Sequence, residues 1–204
     1  MDSDRVGDHC RIPVEQRLNI FALVIYIPDP LGRFLDDLRR ELIPQCNPHA
    51  HVSVLPPRPL AVDWQVASGQ VRALTDTWPP FEAELTDVDI FPVTNVLYLR
   101  LGAGAAEFTR MHAAMDRHSL RFHEPFPYHP HVTLAQEIPN GDVESVRQTA
   151  LRRWREYAGP RSFRAERAAF VQSTLGNSWI DLQDYSLGAV GDSVAAGPNP
   201  THRL

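Results

Sequence analysis

Two stretches of this chain repeat the same chemically useful positions. Asn47 to Pro56 reads NPHAHVSVLP, and Tyr128 to Gln136 reads YHPHVTLAQ. Each holds His-x-His-Val, then Ser or Thr, then an aliphatic residue: His49, His51, Ser53 and Val54 in one copy, His129, His131, Thr133 and Leu134 in the other. Val-rich runs of this length read as strands, whose side chains alternate between faces. His51 and Ser53 then share one face while Val52 and Val54 share the other, and His131 and Thr133 repeat the arrangement. A strand that offers an imidazole beside a hydroxyl, made twice, is half of a two-histidine site.

Such a pair has a definite use. Neutral imidazole accepts a proton and imidazolium donates one, both near pH 6.5, so two rings in opposite states serve one reaction as base and acid. In-line displacement at phosphorus needs them on opposite sides of the phosphate, one activating the incoming oxygen and one protonating the leaving oxygen. Each transfer contributes roughly 10²–10⁴-fold. Ser53 and Thr133 can hydrogen-bond the non-bridging oxygens as negative charge builds. That chemistry needs no metal or cofactor, and a 2′,3′-cyclic phosphate is its natural substrate class.

The composition excludes several alternatives. All 20 basic residues are Arg, and the chain contains no Lys. A lysyl-adenylate ligase, a Walker-type phosphate loop and Schiff-base chemistry all need that amine. A net charge of −5 argues against a long DNA-duplex footprint and leaves a small nucleotide or an RNA end as partner. The two cysteines, Cys10 and Cys46, make no disulfide framework, so a cytoplasmic location is expected. The longest apolar run, Ile20 to Ile27, is too short to span a bilayer. A monomer without membrane attachment is expected.

The elements that must position the motifs follow in order. Residues 1–16 read as a flexible leader, 17–187 as one bilobal domain and 188–204 as a flexible tail. Ile20–Ile27 predicts a central strand, and Phe34, Leu35, Leu38 and Leu42 form a helical stripe after Asp29-Pro30. The first motif strand should close at the stiff run Leu55-Pro56-Pro57-Arg58-Pro59, leaving Arg58 near its exit. Trp64, Ala67, Val71 and Leu74 mark a second helix. Phe81–Phe91 alternates and changes phase near Thr86-Asp87, which predicts a bulge. A strand at Val96–Leu101, a helix over Phe108–Met115, the second motif strand and a helix over Val143–Trp154 follow. Phe163–Gln172 and Trp179–Leu187 read as the last strands.

The halves match beyond the histidines. Phe81-Glu-Ala-Glu84 corresponds to Phe163-Arg-Ala-Glu166, and Asn95 and Asn177 each follow their Phe at the same interval. An internal duplication is the reading, which predicts an α+β fold. Its two pseudo-symmetric lobes would each be a mostly antiparallel sheet with flanking helices, with a central cleft between the motif strands.

The arrangement resembles the 2H phosphoesterase superfamily, named for two His-x-Thr/Ser-x motifs, which includes the 2′-5′ RNA ligase and cyclic phosphodiesterase proteins. The resemblance spans Arg17 to Leu187 and includes the IYIPDPL opening. It implies a phosphoric diester hydrolase in which His51 is the acid toward the leaving oxygen and His131 the base toward water. The chain departs from the family in having Ser53 where Thr is commoner, LPPRPL after it, and Gln136 after the second motif.

Around the four catalytic candidates stand four substrate-binding ones. Arg58 would clamp phosphate, Tyr128 would stack on a base, and His49 and His129 would line the rim. His112, His118 and His123 read as structural. Two further function classes compete: a His-rich metal-dependent hydrolase built from both His-x-His pairs, and a non-catalytic protein binding nucleotides or RNA ends.

Overall fold

The computed structural model describes residues 12–46, 49–139 and 141–188. Most of the predicted leader and nearly all of the predicted tail lie outside these residues. The elements are β1 (Arg17–Tyr26), α1 (Leu31–Leu42), β2 (His51–Arg58), α2 (Trp64–Thr75), β3 (Phe81–Phe91), β4 (Val96–Leu101), α3 (Ala105–Met115), β5 (His131–Ala135), α4 (Val143–Glu156), β6 (Ser162–Ala165), β7 (Arg167–Thr174) and β8 (Trp179–Ser186). No helix among them is long and apolar enough to cross a membrane.

Two four-stranded sheets result, ordered β2-β1-β7-β8 and β5-β4-β3-β6, with every described pairing antiparallel. Each motif strand is therefore a sheet edge. The α+β architecture and antiparallel sheets match the expectation, but the sheets are interlaced. β3 follows the first motif and pairs in the second sheet, while β7 follows the second motif and pairs beside β1 in the first. The single strand expected over Phe163–Gln172 is split at Glu166 for this reason. β6 pairs with β3 and β7 with β1, so one extended run serves both sheets.

β1 earns its central place by burying both faces. Phe21, Leu23 and Ile25 enter the main core, and Ala22 and Val24 join Ala169 and Val171 in a small cluster on the other face. Leu35 and Leu38 of α1, Val52 of β2, Leu99 of β4 and Val132 of β5 are wholly shielded within the main core, which runs beneath both sheets. Each such aliphatic side chain contributes roughly 1.5–3 kcal/mol.

Local irregularities follow the sequence. The register between β3 and β4 jumps from Leu85↔Leu101 to Val88↔Leu99, which places the predicted bulge at Thr86-Asp87. Asn95 and Asn177 adopt φ of 54° and 55° in the β3–β4 and β7–β8 turns, a conformation Asn tolerates better than most residues. β2, by contrast, does not stop before its prolines. It continues through Pro56 and Pro57 to Arg58, paired with Phe21, because an edge strand can carry residues that lack an N–H.

Gly32 in the first turn of α1 is forced by a close approach. A Cβ there would stand 2.1 Å from the Ile27 carbonyl oxygen. Gly→Ala inside a helix ordinarily stabilises by about 1 kcal/mol. Here the sign should reverse: Gly32→Ala is expected to cost about 1–3 kcal/mol, as overpacking does, measured by urea unfolding.

Candidate active site

β2 and β5 are edges of different sheets and run in contact along a seam. His51 and His131 are the first residues of these strands. Tyr26 lies directly opposite His51 and Val24 opposite Ser53. Arg100 lies opposite His131 and Tyr98 opposite Thr133. Directly opposed residues share a face, so each motif's imidazole and hydroxyl point to the same side of their sheet.

Both strands then bulge one residue past the hydroxyl. The pairing passes from Val24↔Ser53 to Leu23↔Leu55 in one sheet and from Tyr98↔Thr133 to Leu97↔Ala135 in the other. Val54 and Leu134 are the extra residues. The bulge lets two successive side chains turn inward, Val54 with Leu55 and Leu134 with Ala135, all buried. The twin burial patterns express that shared geometry.

The two imidazoles are held alike. His51 Nδ1 stands 2.8 Å from the His49 carbonyl oxygen and His131 Nδ1 stands 2.7 Å from the His129 carbonyl oxygen. A carbonyl accepts only, so Nδ1 carries the proton and the neutral ring keeps its lone pair on Nε2. Among the described residues neither Nε2, nor the Ser53 or Thr133 hydroxyl, has a hydrogen-bond partner. Four groups able to exchange protons or hydrogen bonds with a ligand are left unengaged on one seam.

Their surroundings differ. His131 lies edge-on to Phe91 and Tyr98, ring centroids 5.0 and 5.4 Å away, and those two rings stack at 4.0 Å. His51 has Tyr26 at 6.2 Å, whose hydroxyl donates to Asp181. Burial, aided by the positive charges of Arg39 and His131, lowers the His51 pKa to about 4. His131 is lowered too, by burial and then by the charge of His129. The influence of His131 on His51 places the two rings within electrostatic reach of each other. At neutral pH both rings are neutral in the free protein.

The described residues contain no cluster of three or more His, Cys, Asp or Glu side chains placed to hold a metal.

The family model of the 2′-5′ RNA ligase superfamily matches residues 27–177, more than half of the chain and both motifs. The chain belongs to this superfamily. Among solved structures it is similar to E. coli LigT complexed with 3′-AMP, at 15% identity and a TM-score of 0.60, covering 84% of this chain and 98% of that one. It is also similar to E. coli LigT complexed with NADP+, at 16% identity and TM-score 0.58, over 85% and 98% of the two chains. TT0787 of Thermus thermophilus follows at 17% identity and TM-score 0.58, over 83% and 98%. At these identities the likeness establishes a shared fold. No curated protein matches the chain in sequence.

Within this 2H phosphoesterase superfamily frame, the substrate-binding candidates fall differently from expectation. Arg58 is corrected outright. Its side chain is 1% exposed, with the guanidinium bound to Asp116 at 2.8 Å, to the Leu120 carbonyl at 2.9 Å and to Glu124. It is the centre of a buried ion cluster, with Nε also donating to the Pro56 carbonyl, and its burial keeps it from clamping a phosphate. Tyr128 is not laid open for base stacking on both faces. One face of its ring lies on His112 at 3.8 Å and its hydroxyl donates to the Ser53 carbonyl. His49 and His129 supply the carbonyls that hold the inner rings, and the His129 ring also packs against Phe91 and Tyr98. Why the motif reads His-x-His is thus answered partly by backbone, a role any residue type could fill.

Sequence reasoning missed Asp36 and Arg39 on α1. Asp36 accepts the Ala50 N–H at 2.6 Å and lies 3.8 Å from His49 Nδ1, fixing the approach to β2. Arg39, one turn on, is buried beside it, with Nε and Nη1 lacking an acceptor among the described residues. A charged residue on the apolar stripe of α1 was the available signal.

Two measurements test these assignments. Because His51 is pushed below its usual value of 6.5, its contribution to stability is complete above pH 6.5 and is lost as pH falls from there toward 4, where the unfolded chain binds a proton that the folded chain refuses. His51→Gln should flatten the stability loss between pH 7 and pH 4 in urea titrations, and an unchanged slope would refute the burial argument. Arg58→Gln should cost about 3–5 kcal/mol in stability by leaving two carboxylates uncompensated. A fold-neutral variant with only a raised KM would restore the phosphate clamp.

Proposed function

We propose that the protein is a metal-independent phosphoesterase acting on a 2′,3′-cyclic phosphate or an RNA-end phosphodiester. The observation that carries this reading is the pair of identically held imidazoles, each exposing Nε2 beside an unengaged hydroxyl, on two strand edges that meet. The reaction needs a proton removed from the attacking oxygen and another delivered to the departing ribose oxygen as its bond to phosphorus breaks. Two Nε2 atoms facing one phosphate do both. Ser53 and Thr133 donate to the non-bridging oxygens, which explains why a hydroxyl follows each histidine by two residues. A binding protein would have no use for matched tautomers, and a four-histidine metal site would leave the hydroxyls idle. E. coli LigT, which shares this fold, has a structure in complex with the nucleotide 3′-AMP, which supports a nucleotide phosphate as ligand.

A bound phosphodiester brings one negative charge, which raises both pKa values, so that one ring can hold the proton it delivers while the other stays neutral to accept one. The resemblance implies His51 as the acid and His131 as the base. Running the reaction in the ligation direction exchanges the roles.

A panel of 2′,3′-cyclic nucleotides, with products resolved as 2′- or 3′-phosphates, tests the activity directly, and turnover should survive EDTA. Loss of turnover restored by one divalent ion would give the reading to a metallo-hydrolase. His51→Ala and His131→Ala should each remove most of kcat, and the double variant should be little worse than either single one. Ser53→Ala and Thr133→Ala should cost about 1–3 kcal/mol of transition-state stabilisation each, as for loss of one donor to a charged oxygen.

A further inference from the structure

An edge strand with a bulge is the part of a sheet most prone to fray, because its outward backbone groups have no ladder partner. On β2 the two carbonyls at the bulge are nevertheless occupied. Tyr128 donates its hydroxyl to the Ser53 carbonyl at 2.8 Å, and His112 donates Nδ1–H to the Val54 carbonyl at 2.9 Å. The two rings stack with an interplanar angle of 1°. Glu124 lies 3.7 Å from His112 Nε2 and pairs with Arg58, the last residue of β2. Asp116 accepts from Arg58 and from the Phe122 N–H. The segment between α3 and β5 is thus wound around the end of β2, and Tyr128 precedes His131 by three residues.

We propose that Tyr128 and His112 form a strut that sets the separation of the two motifs, tying the Ser53–Val54 backbone of β2 to the segment that leads into His131. The proposal rests on the phosphoesterase reading above. Both are positioning residues: the Tyr128 hydroxyl and His112 Nδ1 are turned to the backbone of β2 and act on the reaction through Ser53. Burial and the nearby Glu124 carboxylate push the Tyr128 pKa up, so its hydroxyl remains a donor throughout the working pH range. Placement matters because displacing a reacting group by about 1 Å costs on the order of 10²-fold in rate.

Tyr128→Phe isolates the claim, since it keeps the ring and its stack and removes only the donor. It should lower kcat about tenfold with KM within about twofold, and should add no further loss in a Ser53→Ala background. His112→Leu should behave like Tyr128→Phe, while His112→Asn, which retains an N–H donor, should recover most of the rate. Wild-type kcat in Tyr128→Phe, or a full additional loss on top of Ser53→Ala, would overturn the strut. So would a neutral Tyr128→Phe accompanied by a raised KM in Tyr128→Leu, the pattern of a base-stacking platform. An independent readout needs no substrate: in the free protein the ring carbon-bound proton NMR signals of both His51 and His131 should move in Tyr128→Phe, and static signals would overturn the proposal. A wild-type protein inert toward every cyclic nucleotide would instead sink the functional reading alone.

Discussion

An imidazole in its neutral form has one proton and one lone pair, and committing the proton leaves the lone pair nowhere else to be. In this protein both inner histidines commit Nδ1–H to the carbonyl two residues earlier. That choice constrains the strands around them. Within a regular ladder the same carbonyl would be competed for by the neighbouring strand, so each histidine has to be the first ladder residue. It is, in β2 and in β5. His49, just before β2, adopts a left-handed φ of 69°, and Pro130 precedes His131. In each motif the chain departs from regular strand where the lock is made.

The remaining architecture keeps the two locks together. A motif strand placed centrally in a sheet could not approach its counterpart, and here both are edges. The sheets are bound by exchange: β3 and β7 each pair in the sheet that holds the other half's motif. Side-chain links then refine the seam, through Asp36 at the start of β2 and Tyr128 and His112 at its bulge. The exchanged strands place the sheets coarsely, and hydrogen bonds to individual carbonyls place the reacting groups.

Much of this was legible in the chain because it rests on period and repetition. Alternation assigned His51 with Ser53 and His131 with Thr133 to common faces, and a phase change located the bulge at Thr86-Asp87. The twin Asn95 and Asn177 marked the duplication, and the structure gives both the same left-handed backbone conformation in matching turns. What was not legible depends on partners distant in sequence. Arg58 reads as a loop cation until Asp116 and Glu124, from beyond α3, close on it. Phe163–Gln172 reads as one strand because each residue has strand character, and only the choice of two different partners divides it at Glu166. The bulges at Val54 and Leu134 were hidden because an aliphatic residue suits either face of a strand with one buried side.

The return of β7 to β1 has a consequence for synthesis. β1 leaves the ribosome before every other described strand, yet its second neighbour begins at Arg167, with Phe21 pairing to Gln172. Until then β1 has only β2 beside it, and its other edge is open and apolar, the kind of edge that recruits foreign strands. Contacts this far apart in sequence also close slowly. A nascent chain interrupted between β5 and β7 therefore lacks the centre of its first sheet even though both histidine motifs have already been made, and it exposes an adhesive edge. Synthesis must pass β7 before the chain is either safe or active, which makes products that stop short of it candidates for aggregation rather than for partial function.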